Sequence, residues 1–81
     1  MQITIYTTTS CPYCRELKSY LESKKLSYKE KLIDQDEPAR QEMLTISGGF
    51  MGVPFTYIEK DSGEKLTVVG FDKGKLGTIF P

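Results

Sequence analysis

Cys11 and Cys14 are the only thiols in this sequence of 81 residues, and they lie at the junction of a strand and a helix. The run 2–6 alternates apolar and polar residues as a strand does, and helix-spaced apolar residues follow Cys14. The first N–H groups of a helix lack partners and its macrodipole is positive there, so that an anion is stabilised. We therefore predict that the Cys11 thiol ionises easily and that the pair performs dithiol redox chemistry.

The acidity of Cys11 needs more than the helix dipole. A free cysteine with a pKa near 8.5 is only about 3% thiolate at pH 7, whereas a helix N-terminus or a Cys-x-x-Cys setting lowers the pKa to about 3.5–7.5. One pKa unit corresponds to about 1.36 kcal/mol, and the dipole supplies only about 0.3–1 kcal/mol. Further donors to the sulfur are required, and we predict that these are the thiol and the backbone N–H of Cys14.

The same placement predicts separate roles for the residues of the Cys-Pro-Tyr-Cys motif. Cys11, at the helix tip, is expected to attack a substrate disulfide, and Cys14, one turn inward, is expected to resolve the mixed disulfide. Pro12 fixes φ and removes a donor, while Tyr13 offers an aromatic wall beside the sulfurs. Pro12 and Tyr13 therefore support the reaction without performing it.

Other interpretations of the two cysteines remain open. They could form a structural bridge or be two inert buried thiols, although in a reducing compartment a disulfide is usually transient and catalytic. Two cysteines and no histidine fall short of the four ligands of a zinc site, so we predict no metal site within the chain. An iron–sulfur cluster bridging two chains would need thiols from both chains or added glutathione.

Composition and charge exclude several classes of partner. The eleven basic and eleven acidic residues cancel, and no long block of one sign occurs, so neither nucleic acid nor an anionic membrane is an expected partner. No apolar stretch approaches the roughly 18 residues of a spanning helix, and Met1 leads directly into a strand pattern. We expect a cytoplasmic monomer that forms one domain and has no tightly bound cofactor.

Hydrophobic periodicity and turn residues predict an α/β fold in the order β-α-β-α-β-β-α. The predicted strands cover residues 2–6, 28–34, 55–59 and 65–69, and the second, rich in lysine, should lie at an exposed edge. A right-handed crossover and a final hairpin then give a four-stranded mixed sheet flanked by three helices.

Each predicted helix has a recognisable boundary. Pro12 belongs in the first turn of the first helix, and Asp36 or Glu37 opens the second. The pair Gly48-Gly49 ends the second helix, and Asp72 can cap the third. The segment Gly48-Gly49-Phe50-Met51 could form a binding lip, but a helix stop followed by core residues is the favoured interpretation. Thr7, Thr8 and Thr9 are predicted to be solvated turn residues.

Three separated motifs carry a resemblance to a known family: Cys11-Pro12-Tyr13-Cys14, Gly52-Val53-Pro54 and Gly70-Phe71-Asp72. With them the whole chain resembles the glutaredoxin branch of the thioredoxin fold, as a single glutaredoxin-like domain over residues 1–81. The resemblance implies a thiol-disulfide oxidoreductase whose Val53–Pro54 bond is cis and whose Pro54 lies against the dithiol.

Departures from the family pattern bear on the electron donor. Glutathione-using members usually carry a basic residue where this chain has Thr8, and two acids where it has Asp72-Lys73. The single glycine followed by Phe71 is similar to the small NrdH-type redoxins that donate electrons to ribonucleotide reductase. The resemblance thus implies disulfide-containing protein substrates, with electrons from glutathione as co-substrate or from a thioredoxin-reductase-type flavoenzyme, which Thr8 favours.

The resemblance also implies a binding surface for glutathione or a protein substrate. Its predicted residues are Thr8, Tyr13, Val53, Pro54, Gly70, Phe71 and Asp72. Val53 would pair its backbone with an extended substrate. Phe71 and Asp72 would receive the γ-glutamyl end of glutathione or the C-terminal part of a protein substrate. The alternative is a noncatalytic carrier or adaptor, either an iron–sulfur-bridged dimer or a partner-binding module.

Overall fold

Within residues 1–49 and 52–80, which the computed structural model describes, four strands and three helices follow one another in the predicted order. The strands are β1 (Gln2–Thr7), β2 (Lys29–Leu32), β3 (Phe55–Glu59) and β4 (Lys65–Val69). The helices are α1 (Pro12–Ser23), α2 (Glu37–Ser47) and α3 (Lys73–Ile79).

The sheet has the strand order β2-β1-β3-β4 and is mixed, as predicted. β1 runs parallel to β2 and antiparallel to β3, and β3 forms an antiparallel hairpin with β4. Tyr6 lies opposite Phe55, which in turn lies opposite Val69. The end of β1, the start of β3 and the end of β4 therefore lie side by side at one end of the sheet, and the loops that carry the three motifs leave from that end.

The two faces of the sheet bury different clusters because successive strand residues point to opposite sides. Ile3 and Ile5 pack with Leu17 of α1 and Leu76 of α3 on one face. Tyr6 packs on the other face, in the cluster that contains Met43 of α2. α1 and α3 thus cover one side of the sheet and α2 covers the other.

The predicted helix boundaries correspond to capping contacts. Pro12 is at the start of α1, and the Asp36 carboxylate accepts a hydrogen bond from the backbone N–H of Ala39 at 3.2 Å. Gly48 follows α2 with a φ of 72°, in the left-handed region that glycine adopts readily, and its N–H donates to the carbonyl of Leu44.

The second strand is shorter than the predicted range 28–34. β2 ends at Leu32 because the Leu32 carbonyl accepts hydrogen bonds from the N–H groups of Gln35 and Asp36, at 3.1 and 2.8 Å, which turn the chain. Its position at the sheet edge is as predicted. Phe50 and Met51, predicted as core residues, lie outside the described residues. No helix in the described ranges is long and apolar enough to span a membrane.

Candidate active site

Cys11 is the N-cap residue of α1, and its sulfur accepts a hydrogen bond from the backbone N–H of Cys14 at 3.2 Å. This N–H is one of the two donors that the sequence predicts for the Cys11 sulfur. The two cysteines form a disulfide with a Cα–Cα distance of 5.2 Å. Cys14 is only 2% exposed, whereas Cys11 is partly exposed, so that an incoming group can reach only the outer sulfur directly.

The residues between the cysteines face the solvent. Pro12 occupies the first turn of α1, where its missing N–H leaves no intrahelical bond unmade. Tyr13 is 63% exposed, an unusual exposure for a ring of its size. Its side chain is therefore free to contact a bound molecule at the tip of α1.

Of the three threonines before Cys11, which are predicted to be solvated turn residues, Thr7 differs from the prediction. Thr7 ends β1 and is fully buried, and its hydroxyl donates a hydrogen bond to Glu30 Oε2 at 2.8 Å. Thr9 donates from its N–H and its hydroxyl to Asp34 Oδ2, at 3.1 and 2.7 Å. These two hydrogen bonds from Thr9 lower the pKa of the Asp34 carboxyl. Thr9 is exposed and lies in a turn, as predicted, and the half-buried Thr8 fits the prediction in part.

A charged pair continues this contact to α1. Glu30 Oε2, which accepts the Thr7 hydroxyl, also lies 3.1 Å from Lys18 Nζ. Lys18 stands one turn beyond Cys14, and both side chains of the ion pair are about two-thirds or more buried, with exposures of 31% and 28%. The two elements that hold the cysteine loop, β1 and α1, are therefore joined to β2 by one network.

The second motif has the backbone geometry that the resemblance implies. The Val53–Pro54 bond is cis, and Pro54 is fully buried. The Pro54 carbonyl accepts a hydrogen bond from the Gly70 N–H at 2.8 Å, which brings the second and third motifs together. Gly70 has a φ of 75°, a conformation that strains any side chain larger than hydrogen.

Phe71 and Asp72 point to different neighbours. The Phe71 ring packs edge-on against Tyr20 of α1, with 6.1 Å between centroids and 74° between planes. The Asp72 carboxylate accepts the Lys75 N–H at 3.1 Å and so caps α3. The structural role that the sequence offers for Asp72 is thus present, while the binding of a ligand by Asp72 stays a prediction.

Comparison with known proteins identifies the family. The family model described as Glutaredoxin matches residues 3–62 of this chain. The chain belongs to the glutaredoxin family. A glutaredoxin-like 8.6 kDa protein in the rubredoxin operon of Clostridium pasteurianum is 34% identical over 77 residues, which are 95% of each chain.

Solved structures support the same assignment for this glutaredoxin. The thioredoxin-like protein BC3987 has a TM-score of 0.80 and 29% identity, over 96% of this chain and 99% of the other. NrdH-redoxin from Escherichia coli has a TM-score of 0.78 and 26% identity, over 100% and 97%. The fold is therefore thioredoxin-like. Glutaredoxin family members are thiol-disulfide oxidoreductases, and this chain is a redox protein of that family with its cysteine pair at disulfide distance.

Sequence reasoning missed the contacts that hold the cysteine loop of this glutaredoxin. A signal was available in the parallel pairing of β1 and β2, since parallel strands end at the same edge of a sheet. Asp34 follows the second of these strands, so its carboxylate was within reach of the threonines that follow the first. Lys18, one helical turn after Cys14, gave no comparable signal because surface lysines are common.

Metal ligation has little support among the described side chains. No group of three or more His, Cys, Asp or Glu in residues 1–49 and 52–80 is arranged to hold a metal ion. The prediction that the chain has no metal site and no tightly bound cofactor stays a prediction.

Proposed function

We propose that this glutaredoxin reduces protein disulfides or glutathione mixed disulfides through a two-cysteine cycle. The observation that carries the proposal is the placement of Cys11 as a partly exposed N-cap whose sulfur accepts the Cys14 N–H, with Cys14 buried behind it. A hydrogen bond to the sulfur and the helix N-terminus both favour the thiolate. The outer sulfur is then the nucleophile and the inner sulfur is the resolving group.

The proposed cycle is two successive thiol–disulfide exchanges. The Cys11 thiolate attacks one sulfur of the substrate disulfide, forms a mixed disulfide with it and expels the other sulfur as a thiolate, which takes a proton. Cys14 loses its proton and attacks Cys11, which releases the second substrate thiol and leaves the Cys11–Cys14 disulfide. The protein loses two electrons and the substrate gains two.

The surface around the outer sulfur supports the binding of an extended substrate. Val53 and Pro54 lie at the same end of the sheet as the cysteine loop, and the Gly70 N–H donates a hydrogen bond to the Pro54 carbonyl. We place the substrate backbone against Val53 and its far end near Phe71 and Asp72. Thr8 and Tyr13 complete the proposed surface from the other side of the cysteines. Recognition through backbone groups would tolerate many substrate sequences.

We propose a thioredoxin-reductase-type flavoenzyme as the favoured electron donor, with glutathione as the second candidate. Thr8 stands where glutathione-using members usually carry a basic residue, which removes a partner for a glutathione carboxylate. The NrdH-redoxin from Escherichia coli is described by a thioredoxin-like activity profile, which supports the same choice. Oxidation of NADPH in the presence of the protein and thioredoxin reductase, compared with glutathione and its reductase, distinguishes the two donors.

A single-turnover experiment tests the cycle without needing the donor. Pre-reduced protein is mixed with insulin in the absence of any other thiol, and the products are separated under acid and weighed by mass spectrometry. The wild-type chain should yield free insulin thiols and its own Cys11–Cys14 disulfide. Cys14→Ser should be trapped as a mixed disulfide with insulin, and Cys11→Ser should not react.

Cys14→Ser is the matched control, since it keeps the proposed nucleophile and removes only the resolving sulfur. Release of free insulin chains by Cys14→Ser at the wild-type rate would contradict a two-cysteine cycle. An unreactive wild-type chain that binds partners would instead support the noncatalytic carrier or adaptor, and visible absorbance after anaerobic expression would identify the iron–sulfur form.

A further inference from the structure

A groove on the surface lies between α1 and the start of α3 and has a volume of about 490 Å³. Its walls include Arg15, Glu16, Ser19 and Tyr20 of α1, together with Phe71 and Lys73. We refer to it as the α1–α3 groove. It begins at Arg15, directly after the buried cysteine, and extends along α1 away from the sulfurs.

The floor of the α1–α3 groove is aromatic. Tyr20 and Phe71 pack edge-on at 6.1 Å, and both are partly buried against the core cluster under α1 and α3. Because that core holds the two rings in place, they can receive an apolar side chain with little loss of side-chain freedom. An aromatic pair of this kind in a surface groove is a common anchor site for a protein partner.

The rim of the α1–α3 groove is basic. Lys24 Nζ lies 5.5 Å above the Tyr20 ring, and Lys73 Nζ lies 5.6 Å above the Phe71 ring. Arg15 adds a third cation. None of the three forms an ion pair with another described residue, whereas five ion pairs occur elsewhere in residues 1–49 and 52–80. Among the described residues of the lining, Arg15 and Lys73 are basic and Glu16 is acidic, so the lining has an excess of one positive charge, to which the neighbouring Lys24 adds another.

We propose that the α1–α3 groove binds an acidic segment of the disulfide-bearing partner protein, with an apolar or aromatic side chain on the ring floor and carboxylates near Arg15, Lys24 and Lys73. The inference rests on the proposed disulfide exchange, because it places this segment next to the sulfurs that react. The proposed backbone contacts at Val53 do not depend on the sequence of the substrate. The α1–α3 groove would add a preference for substrates with acidic residues. Oppositely charged surfaces raise the association rate, and salt weakens the effect.

Two synthetic peptides test the proposal. Each carries one Cys joined by a disulfide to a small quencher thiol, so that exchange with pre-reduced protein raises fluorescence. One peptide has three Glu and one Phe after its Cys, and the other has Gln in place of each Glu. At a low salt concentration of roughly 20 mM, the acidic peptide should react about 10-fold faster, and the difference should shrink to about 2-fold at roughly 500 mM NaCl. A third peptide with Ala in place of Phe should react more slowly than its Phe counterpart.

Charge reversal locates the effect on the protein. Lys24→Glu combined with Lys73→Glu should abolish the preference for the acidic peptide while the rate with the Gln peptide stays within about 2-fold. Lys65→Glu combined with Lys75→Glu is the matched control, since it makes the same change of charge at exposed residues that neither line the groove nor lie over its two rings, and it should keep most of the preference.

The outcomes separate the two proposals. Equal rates with the acidic and Gln peptides at low salt, or an undiminished preference in the Lys24→Glu, Lys73→Glu variant, would overturn the acidic-segment inference and leave the disulfide exchange intact. Failure of every peptide to react with the wild-type chain would overturn the exchange itself. If the variant does not fold, the rates of the wild-type chain with the acidic and Gln peptides at the two salt concentrations still test both proposals.

Discussion

At the scale of single residues, the chemistry depends on the environment of one sulfur. Cys11 is at the N-terminus of α1, where backbone N–H groups lack intrahelical partners, and one of these groups, on Cys14, points at its sulfur. The Cys11 sulfur accepts this backbone hydrogen bond, and no hydrogen bond from a basic side chain to it occurs among the described residues. We therefore expect the acidity of Cys11 to come from the helix N-terminus and from Cys14, which a surface substitution should leave unchanged.

Alkylation by iodoacetamide measures this acidity. In Cys14→Ser, where Cys11 is the only thiol, the rate of alkylation should rise with a midpoint well below about 8.5, the pKa of an ordinary cysteine, because the thiolate is the reactive form. Unfolding the same variant in urea should return the midpoint to the ordinary value. A midpoint that is the same in the folded and the unfolded protein would show that the helix N-terminus does not activate Cys11.

At the scale of elements, the cysteine loop is held by contacts that cross from strand to strand and from strand to helix. Thr7 at the end of β1, Glu30 on β2 and Lys18 on α1 form one network. Thr9 connects the same loop to Asp34, beyond the end of β2. The position of the outer sulfur thus depends on the pairing of β1 with β2 as well as on α1.

Thr7→Val removes the hydroxyl of this network with little change of shape. A hydrogen bond to a charged group contributes about 1.5–3 kcal/mol, and Glu30 keeps Lys18 as a partner, so the free energy of unfolding should fall by about 1–2 kcal/mol. Urea unfolding followed by circular dichroism measures the change. A loss below about 0.5 kcal/mol would show that the buried contact adds nothing to stability.

Thr56→Val is the matched control for this experiment. Thr56 is also a fully buried strand threonine, but its hydroxyl has no hydrogen-bond partner among the described residues. Replacing an unsatisfied buried hydroxyl with a methyl group of the same shape should leave stability unchanged or raise it by up to about 1 kcal/mol. The pair of variants separates the hydrogen bond from the effect of substituting a buried threonine.

At the scale of the whole molecule, carboxylates and tyrosines set how stability varies with pH. Four carboxyl groups have pKa values below their ordinary range: Asp34, Glu37, Glu42 and Asp61. The Glu42 pKa is lowered from 4.5 first by the hydrogen bond from Lys31 and then by the hydrogen bond from Tyr6. Burial, followed by the hydrogen bond to Glu42, raises the Tyr6 pKa above its ordinary value of 10.0.

The free energy of unfolding should therefore be flat near neutral pH and fall on both sides. The lowered pKa of Glu42 contributes stability that is present above pH 4.5 and is lost as the pH falls through the lower value in the folded protein. The raised pKa of Tyr6 contributes stability that is present below pH 10.0 and is lost at more alkaline pH. Urea unfolding between roughly pH 3 and pH 11 measures both limbs.

Glu42→Gln should reduce the slope of the acid limb, since it removes one of the four carboxyl groups that take up a proton when the chain unfolds at acid pH. Glu59→Gln is the matched control, because the exposed Glu59 carboxylate forms no hydrogen bond or ion pair with the described residues, and its acid limb should match the wild type. Equal slopes for Glu42→Gln and the wild type would contradict the role of the Glu42 contacts with Lys31 and Tyr6.

The sequence by itself determined the order of the elements, the boundaries of β3 and β4, the place of Pro12 in the first turn of α1 and the start of α2 at Asp36 or Glu37. Periodicity, turn residues and caps act over a few neighbours, which is why these features could be predicted. It also placed the cysteine pair at the helix tip, for the same local reason. With the family resemblance it further indicated the cis bond at Val53–Pro54.

Only the tertiary structure decided which loops meet. Residues far apart in the chain bury Thr7. The hydrogen bonds from Thr9 to Asp34 and the contact of Phe71 with Tyr20 likewise join distant parts of the chain. Strand order and register determine such contacts. The sequence of a polar run between two elements does not show whether its side chains will contact water or a carboxylate. The α1–α3 groove belongs to this second group, because it exists only where α3 packs beside α1.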